Sequence, residues 1–420
     1  MRDQIRFFLS RVRERLWVRP LIIFGLSILA AFVAELVDFV PFLPEFPDIT
    51  ADSLESLLTI IAAGMLGVAV FAVGAMISAY ASAGSTATPR SFPLVIADDV
   101  SQNALSAFVG AFIYSIVALV VLQNGFYGNA GRFVLFVVTM LVFVVIILSF
   151  IRWIDRIARL GRLGNTIDLV EKVTTEALLR RRQTPTLGAH KANARPDGSP
   201  IYSEKIGYLQ RVDLSQLQAL AERFELQITV AALPGMFVTP NNPLAYIRAE
   251  RELSESGLDS ARITDAFVIG KVRLFDEDPR FGLVVLSQIA SRALSPAVND
   301  PGTAIDIIGS FVRLFALWAE RDSSAETPEV KFERVTAPEL SVDELFDDAF
   351  NAIARDGAGM IEVATRLQKA FAALASLGDE SVQEAARSHA RRAFQYAEQA
   401  LPLPEEIEAL EKASLLEEEE

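Results

Sequence analysis

A chain of 420 residues is long enough for two or three domains, and with 51% hydrophobic residues it is unusually apolar for a soluble protein. It has no cysteine and two histidines, His190 and His389, which excludes a disulfide framework or thiolate metal site and leaves little for zinc or histidine-based chemistry. A net charge of -14 argues against nucleic acid, which needs a basic surface; part of that charge is the terminal LLEEEE, read as a solvated tail.

The apolar residues fall into four runs. Pro20 to Ala34 is uncharged and stays apolar to Val40, past Glu35 and Asp38; Leu57–Tyr80, Ala104–Val121 and Phe133–Ile151 are uncharged throughout. A bilayer core of ~30 Å needs about 20 helical residues, and backbone groups in lipid must be satisfied internally, so residues 1–155 read as a four-helix transmembrane domain. Arginines cluster at both ends: Arg2, Arg6, Arg11, Arg13, Arg15 and Arg19 before the first run, Arg152, Arg156, Arg159 and Arg162 after the fourth. The loop PFLPEFPDITADSLES is acidic with no Lys or Arg. The positive-inside rule then places both termini in the cytoplasm and residues 41–53 outside. The first run lacks a small-x-small cleavage site and reads as an uncleaved anchor. No pattern of alternating strands suggests an outer-membrane barrel, so the expected location is a bacterial cell membrane, the inner one where there are two.

The second helix is rich in small residues, including Gly64, Gly67, Gly74, Ala75, Ala79 and Ala81. Small residues let helices approach closely in lipid, either within one subunit or at an oligomer seam or pore axis. Gly67 and Gly74 share a face that Gly64 borders, and Phe71 between them is the candidate constriction. Glu35, Asp38, Glu45 and Asp48 are either ordinary solvated interface residues or an outer acidic vestibule that concentrates cations. No ionisable residue sits mid-span in helices two to four, which counts against a coupled transporter. The fourth helix is bulky and reads as lipid-facing. Between helices two and three lie Arg90, flanked by prolines and expected at the membrane surface, and Asp99-Val-Ser-Gln102, spaced as a capping box.

From about Arg156 the composition becomes that of a water-soluble protein. Residues 166–182 read as an amphipathic helix and 183–200 as an exposed loop carrying His190. IGYLQRVD, ELQITVAAL, GMFVTP and KVRLF read as strands, LSQLQALAERF and SARITDAFVIG as helical, and LAYIRAE as a strand or short helix. The expectation is a cytosolic α/β or α+β domain over 156–322. Asp278-Pro279 and Asp300-Pro301 each place an N-cap carboxylate before a proline suited to the first helical position, so two helices meet at Ser295–Asn299 as an αα-hairpin. Cap duty outweighs a metal site from Asp276, Glu277, Asp278 and Asp300, and no metal is expected. Residues 323–420 read as a helical region with an acidic tail, over 341–355, 358–376, 380–400 and 404–416, with capping boxes at Ser341–Glu344 and Ser381–Glu384. His389 reads as a surface or packing residue.

ATPRSFP before DDVSQNALSAFVGAFIYSIVAL, KIGYLQRVDLSQLQALA with LPGMFV, and above all RALSPAVNDPGTA together resemble the bacterial membrane proteins catalogued as domain of unknown function 2254. The resemblance spans nearly the whole chain. It implies an integral membrane protein of bacteria and brings no catalytic residues with it.

The chain lacks a P-loop, a dinucleotide fingerprint, a G-x-S-x-G elbow and an H-E-x-x-H pair, so neither an enzyme nor a cofactor is expected. The favoured expectation is a homo-oligomeric ion channel or channel-like permease, cation-preferring, with lipids and permeant inorganic ions as partners. The alternative is a membrane-anchored regulatory or scaffold protein whose cytosolic domain binds a partner or small ligand.

Overall fold

The computed structural model describes residues 47–193, 196–249, 259–320 and 330–414, with scattered positions between 18 and 29. Most of the expected first span, with Glu35, Asp38 and Glu45, lies outside the described residues. The chain forms two compact units, 1–166 and 167–420. The division expected at 322/323 falls inside the second unit.

In the first unit, α1 (Ala51–Thr86) leads through a 3₁₀ turn (Pro89–Ser91) and the short α2 (Phe92–Ile96) to α3 (Asp99–Gln123) and α4 (Asn129–Ile157). The proline-free apolar runs of α1, α3 and α4 satisfy their interior backbone groups by helix formation. At 1.5 Å per residue α1 is about 54 Å long, more than a hydrocarbon core requires. Its buried face is largely alanine (Ala62, Ala69, Ala72, Ala79, Ala83), and it meets an α3 face with Ala104, Ala111 and Ala118. Trp153 of α4 gathers the rings of Phe71, Phe108 and Phe150 at 6.1 to 6.2 Å. α3 starts one residue before the expected capping box: Asp98, not Asp99, is the cap, accepting from the Ser101 N–H at 2.9 Å. Its second carboxylate oxygen accepts from Arg156 Nε at 2.7 Å, tying the α2–α3 loop to the end of α4. Gly161, at φ +83°, passes so close to α1 that a Cβ there would lie 2.6 Å from the Ala79 carbonyl oxygen, so no other residue fits.

The second unit begins within α5 (Leu163–Gln183). A five-stranded mixed sheet has the order β1-β8-β4-β6-β2, from β1 (Ala189–Lys191), β2 (Ser199–Ile201), β4 (Leu226–Val230), β6 (Ala245–Ala249) and β8 (Phe332–Ala337). β8 lies parallel to β1 and β4, and β6 antiparallel to β4 and β2. A second sheet places β3 (Gly207–Val212) between β5 (Phe237–Val238) and β7 (Phe267–Gly270), all antiparallel. α6 (Leu214–Arg223) packs Leu214, Leu217 and Ala221 into the core shared by both sheets. A short helix, α7 (Ser260–Thr264), precedes β7.

Three expectations change here. The 183–200 loop contains β1, with His190, and β2. The strand near 270 is FVIG rather than KVRLF. β7 ends at Gly270, which packs against Gln210 where a side chain would collide; Gln210 Nε2 donates to the Val272 carbonyl at 2.8 Å. SARIT alone is helical, not the whole of SARITDAFVIG.

The helical part pairs α8 (Pro279–Ala293) with α9 (Pro301–Ala319) as the expected hairpin, then adds α10 (Val342–Asp356), α11 (Ile361–Ala375), α12 (Glu380–Ala400) and α13 (Pro404–Glu411). Phe311 and Phe315 of α9 stack among Phe346, Phe350 and Phe371. His389 is buried beside Phe346, with Nδ1 at 2.8 Å from the Ala385 carbonyl and Nε2 at 3.0 Å from Asp347, a packing role. Ser341 caps α10 as expected; α12 is capped by Asp379 instead of Ser381.

Four described helices are long and apolar enough to cross a bilayer: α1, α3, α4 and α9. The last differs in kind. Its apolar side is filled by the aromatic cluster of α10 and α11, and its other side carries Asp306 and Arg313, the latter bidentate to Glu171 of α5 at 2.7 Å. An amphipathic helix with a satisfied apolar stripe is a core helix of its own unit.

Candidate functional site

Gly64, Gly67 and Gly74 all lie on the face of α1 turned away from α3, and a Cβ built on any of them meets no described atom within 4 Å. Ala63, Ser78, Ala81 and Ser85 continue this exposed surface. The exposed face of α4 contrasts with it: Leu141, Val144, Val145, Leu148 and Ile151 make the bulky surface that lipid chains solvate well. Among the described residues the exposed side of α1 thus mixes a stripe of small residues with the bulky Ile60, Val70 and Ile77, and the α4 surface is more uniformly bulky. Phe71 is 68% exposed, yet its ring meets Trp153 edge-on at 6.1 Å. It thus leans towards α4 and borders the glycine face instead of standing at its centre.

At the end of the unit where α1 begins, α3 ends and α4 begins, Asp48 lies 3.8 Å from Arg132. Gln123 donates to Glu55 at 2.8 Å. Arg132 offsets part of the negative charge expected there, and the loop sequence alone gave no sign of it.

The two cap aspartates sit in the second unit and are far from equivalent. Asp300 accepts from the Thr303 N–H at 3.1 Å and from its hydroxyl at 2.6 Å, and these bonds hold its carboxyl below the usual range. Asn299 before it adopts φ +50°, closing the turn. Asp278 accepts from the Phe281 N–H at 3.1 Å, but it is 3% exposed and also takes both guanidinium donors of Arg273, at 2.7 and 3.0 Å. Gly235, at φ +97°, lets the 233–236 turn run against this carboxylate, where any side chain would collide.

Asp300→Ala should destabilise the protein by about 0.5–2 kcal/mol, the usual loss of a cap. Because the folded carboxyl titrates below its unfolded value, the cap's contribution is complete above the unfolded pKa and disappears as pH falls through the folded one. Urea titrations of wild type and variant should therefore converge in acid; a gap that persists there would contradict the cap role.

A further cluster was not anticipated. Arg180 and Arg181 at the end of α5, Arg211 of β3 and Ser215 of α6 line a cleft of about 280 Å³. The run of three arginines closing α5 was visible, but its meeting with Arg211 depends on the fold.

The comparisons with known proteins come down to sequence. A family model described as "Predicted membrane protein (DUF2254)" matches residues 13–373. Proteins named as uncharacterized from Mycobacterium bovis and from Mycobacterium tuberculosis strain H37Rv are each 32% identical over 158 residues, 37% of this chain and 30% of theirs. The match thus spans about a third of the length of these relatives. No solved structure matches. With the family model covering most of its length and long apolar helices in its first unit, the chain belongs to the DUF2254 family of predicted membrane proteins.

Proposed function

We propose that the chain is a non-enzymatic, homo-oligomeric membrane protein of the channel or channel-like permease type, with the smooth face of α1 at the subunit seam beside the permeation path. The observation that carries this reading is the small-residue stripe at Gly64, Gly67 and Gly74, where a Cβ would meet no described atom within 4 Å. In lipid, helices associate through small residues because close backbone approach supplies the packing that hydrophobicity cannot. A narrow apolar path conducts only when wetted, so the same face can serve as a gate. The outer carboxylates favour cations, with Arg132 moderating Asp48. Purified protein in planar bilayers should pass a cation-selective current. Absence of current at every voltage, pH and divalent concentration would leave the second reading, a membrane-anchored regulatory protein, which the arginine-lined cleft favours.

The proposed topology has both termini in the cytoplasm of a bacterial cell, from the arginine asymmetry. The absence of native cysteine makes this directly testable. Asp48→Cys should react with an impermeant thiol reagent added outside intact cells or spheroplasts, and Glu204→Cys, at an exposed position, only after lysis. The reverse pattern would overturn the orientation.

A further inference from the structure

The cleft between the end of α5 and the β3–α6 turn combines buried cationic charge with unspent hydrogen-bonding capacity. Arg181 is 4% exposed, and its Nη2 donates to the Glu277 carbonyl at 3.3 Å. Arg180 donates to the Asp276 carbonyl at 2.6 Å. Both bonds go to neutral backbone oxygens and cancel no charge. Among the described residues, Nη1 of Arg181 is buried with no hydrogen-bond partner. A guanidinium so far out of water ordinarily engages a carboxylate or phosphate through paired N–H groups, because an incompletely met buried charge costs several kcal/mol.

Three carboxylates line the same cleft, and none makes a hydrogen bond to the buried Nη1 of Arg181. Asp213 caps α6, accepting from the Gln216 N–H at 3.0 Å. Glu277 faces Arg211 at 3.6 Å and its charge also acts on Arg181 and Arg180, but burial pushes its carboxyl up, which weakens it as a counter-charge. Asp276 meets Arg180 through its backbone. Burial pulls the Arg181 guanidinium down, against the opposing pull of Glu277 and Asp278. The remaining wall supplies the hydroxyl-bearing Thr184 and Ser215 and the aromatic Phe332. Arginines, two hydroxyls and one ring suit a small molecule with a phosphoryl head and a compact body; a bulky ligand would not fit in about 280 Å³.

We propose that this cleft is a binding site for a phosphoryl-bearing anion, with Arg181 as the buried anchor and Arg180 as the second donor at the rim. The head group would take the free Nη1 donor after a small side-chain adjustment. The phosphoryl group could belong to a soluble monoester or to a lipid headgroup, and the site's chemistry is the same for both.

Equilibrium dialysis of the purified full-length chain in neutral detergent against radiolabelled orthophosphate tests this. Saturable binding near one site per chain is expected, with a dissociation constant on the order of 1 mM or below. Arg181→Gln should weaken it by about tenfold or more, the worth of a lost charge-assisted contact. Arg180→Gln, at an exposed position, keeps the test decisive if Arg181→Gln fails to fold, and should weaken binding severalfold with the thermal midpoint preserved. Displacement of the label by glycerol phosphate but not by phosphatidate in mixed micelles identifies a soluble ligand; the converse identifies a lipid headgroup. Lack of saturable phosphate binding, or binding that folded Arg180→Gln leaves unchanged, overturns the proposal.

Discussion

Asp278→Ala should destabilise the second unit by about 3–5 kcal/mol, the cost of breaking a buried ion pair. Asp300→Ala, at the identical Asp-Pro device, should cost about 0.5–2 kcal/mol. The difference lies in surroundings. Asp300 stands at an exposed turn and bonds only its own helix. Asp278 is 3% exposed and holds Arg273, itself 17% exposed, in a bidentate pair. Its removal frees the N-terminus of α8 and also strands a cation against the core, where Arg273 stacks over Phe281 at 5.3 Å. Asp278→Asn, which keeps a cap oxygen but loses the charge, should fall between the two alanine variants. Urea unfolding of the purified chain in detergent measures all three. Equal losses for Asp278→Ala and Asp300→Ala would show that the Arg273 pair adds nothing to the cap.

The second large effect concerns the glycine face. Gly67→Leu should abolish assembly and conduction, because a branched side chain of four carbons would stand where two α1 helices are proposed to approach. Gly67→Ser should leave assembly intact and raise basal conductance in planar bilayers, since a hydroxyl favours wetting of an apolar path. Neither substitution meets a described atom within its own subunit, as the Cβ position at Gly67 is open. A thermal midpoint close to that of the wild type separates lost assembly from misfolding of the subunit. Normal assembly and unchanged conductance in both variants would remove α1 from the seam.

How much of this was legible in the sequence varies by element. Three spans were readable because uncharged runs of 18 or more residues have one stable solution in lipid. The Asp-Pro caps were readable because capping is local, decided by residues three apart. The β1 and β2 strands were missed because each is three residues long and exists only through partners far away in the chain: β8 for one, β6 for the other. Local propensity holds no trace of such a ladder. Helical spacing assigns Phe71 a face but not the tilt of its ring towards Trp153. The charge on Asp48 looked uncompensated because Arg132 lies 84 positions further on, at the start of α4. The arginine cleft needed three distant segments to converge, and its arginines looked like an ordinary basic helix end. In the second unit β8 follows residue 323 in sequence yet completes a sheet begun before residue 200, a pairing that no local signal announces.

Cysteine cross-linking in native membranes tests the central claim most directly, since the chain has no cysteine of its own. Gly67→Cys and Gly74→Cys place a thiol on the smooth face of α1, and Val144→Cys and Leu148→Cys place one on the bulky face of α4. A disulfide requires the two Cα atoms to come within about 7 Å. On mild oxidation, Gly67→Cys or Gly74→Cys should give a covalent dimer, and the α4 variants should stay monomeric. Cross-linking through α4 with none through α1 would contradict the account and move the seam to the face assigned here to lipid.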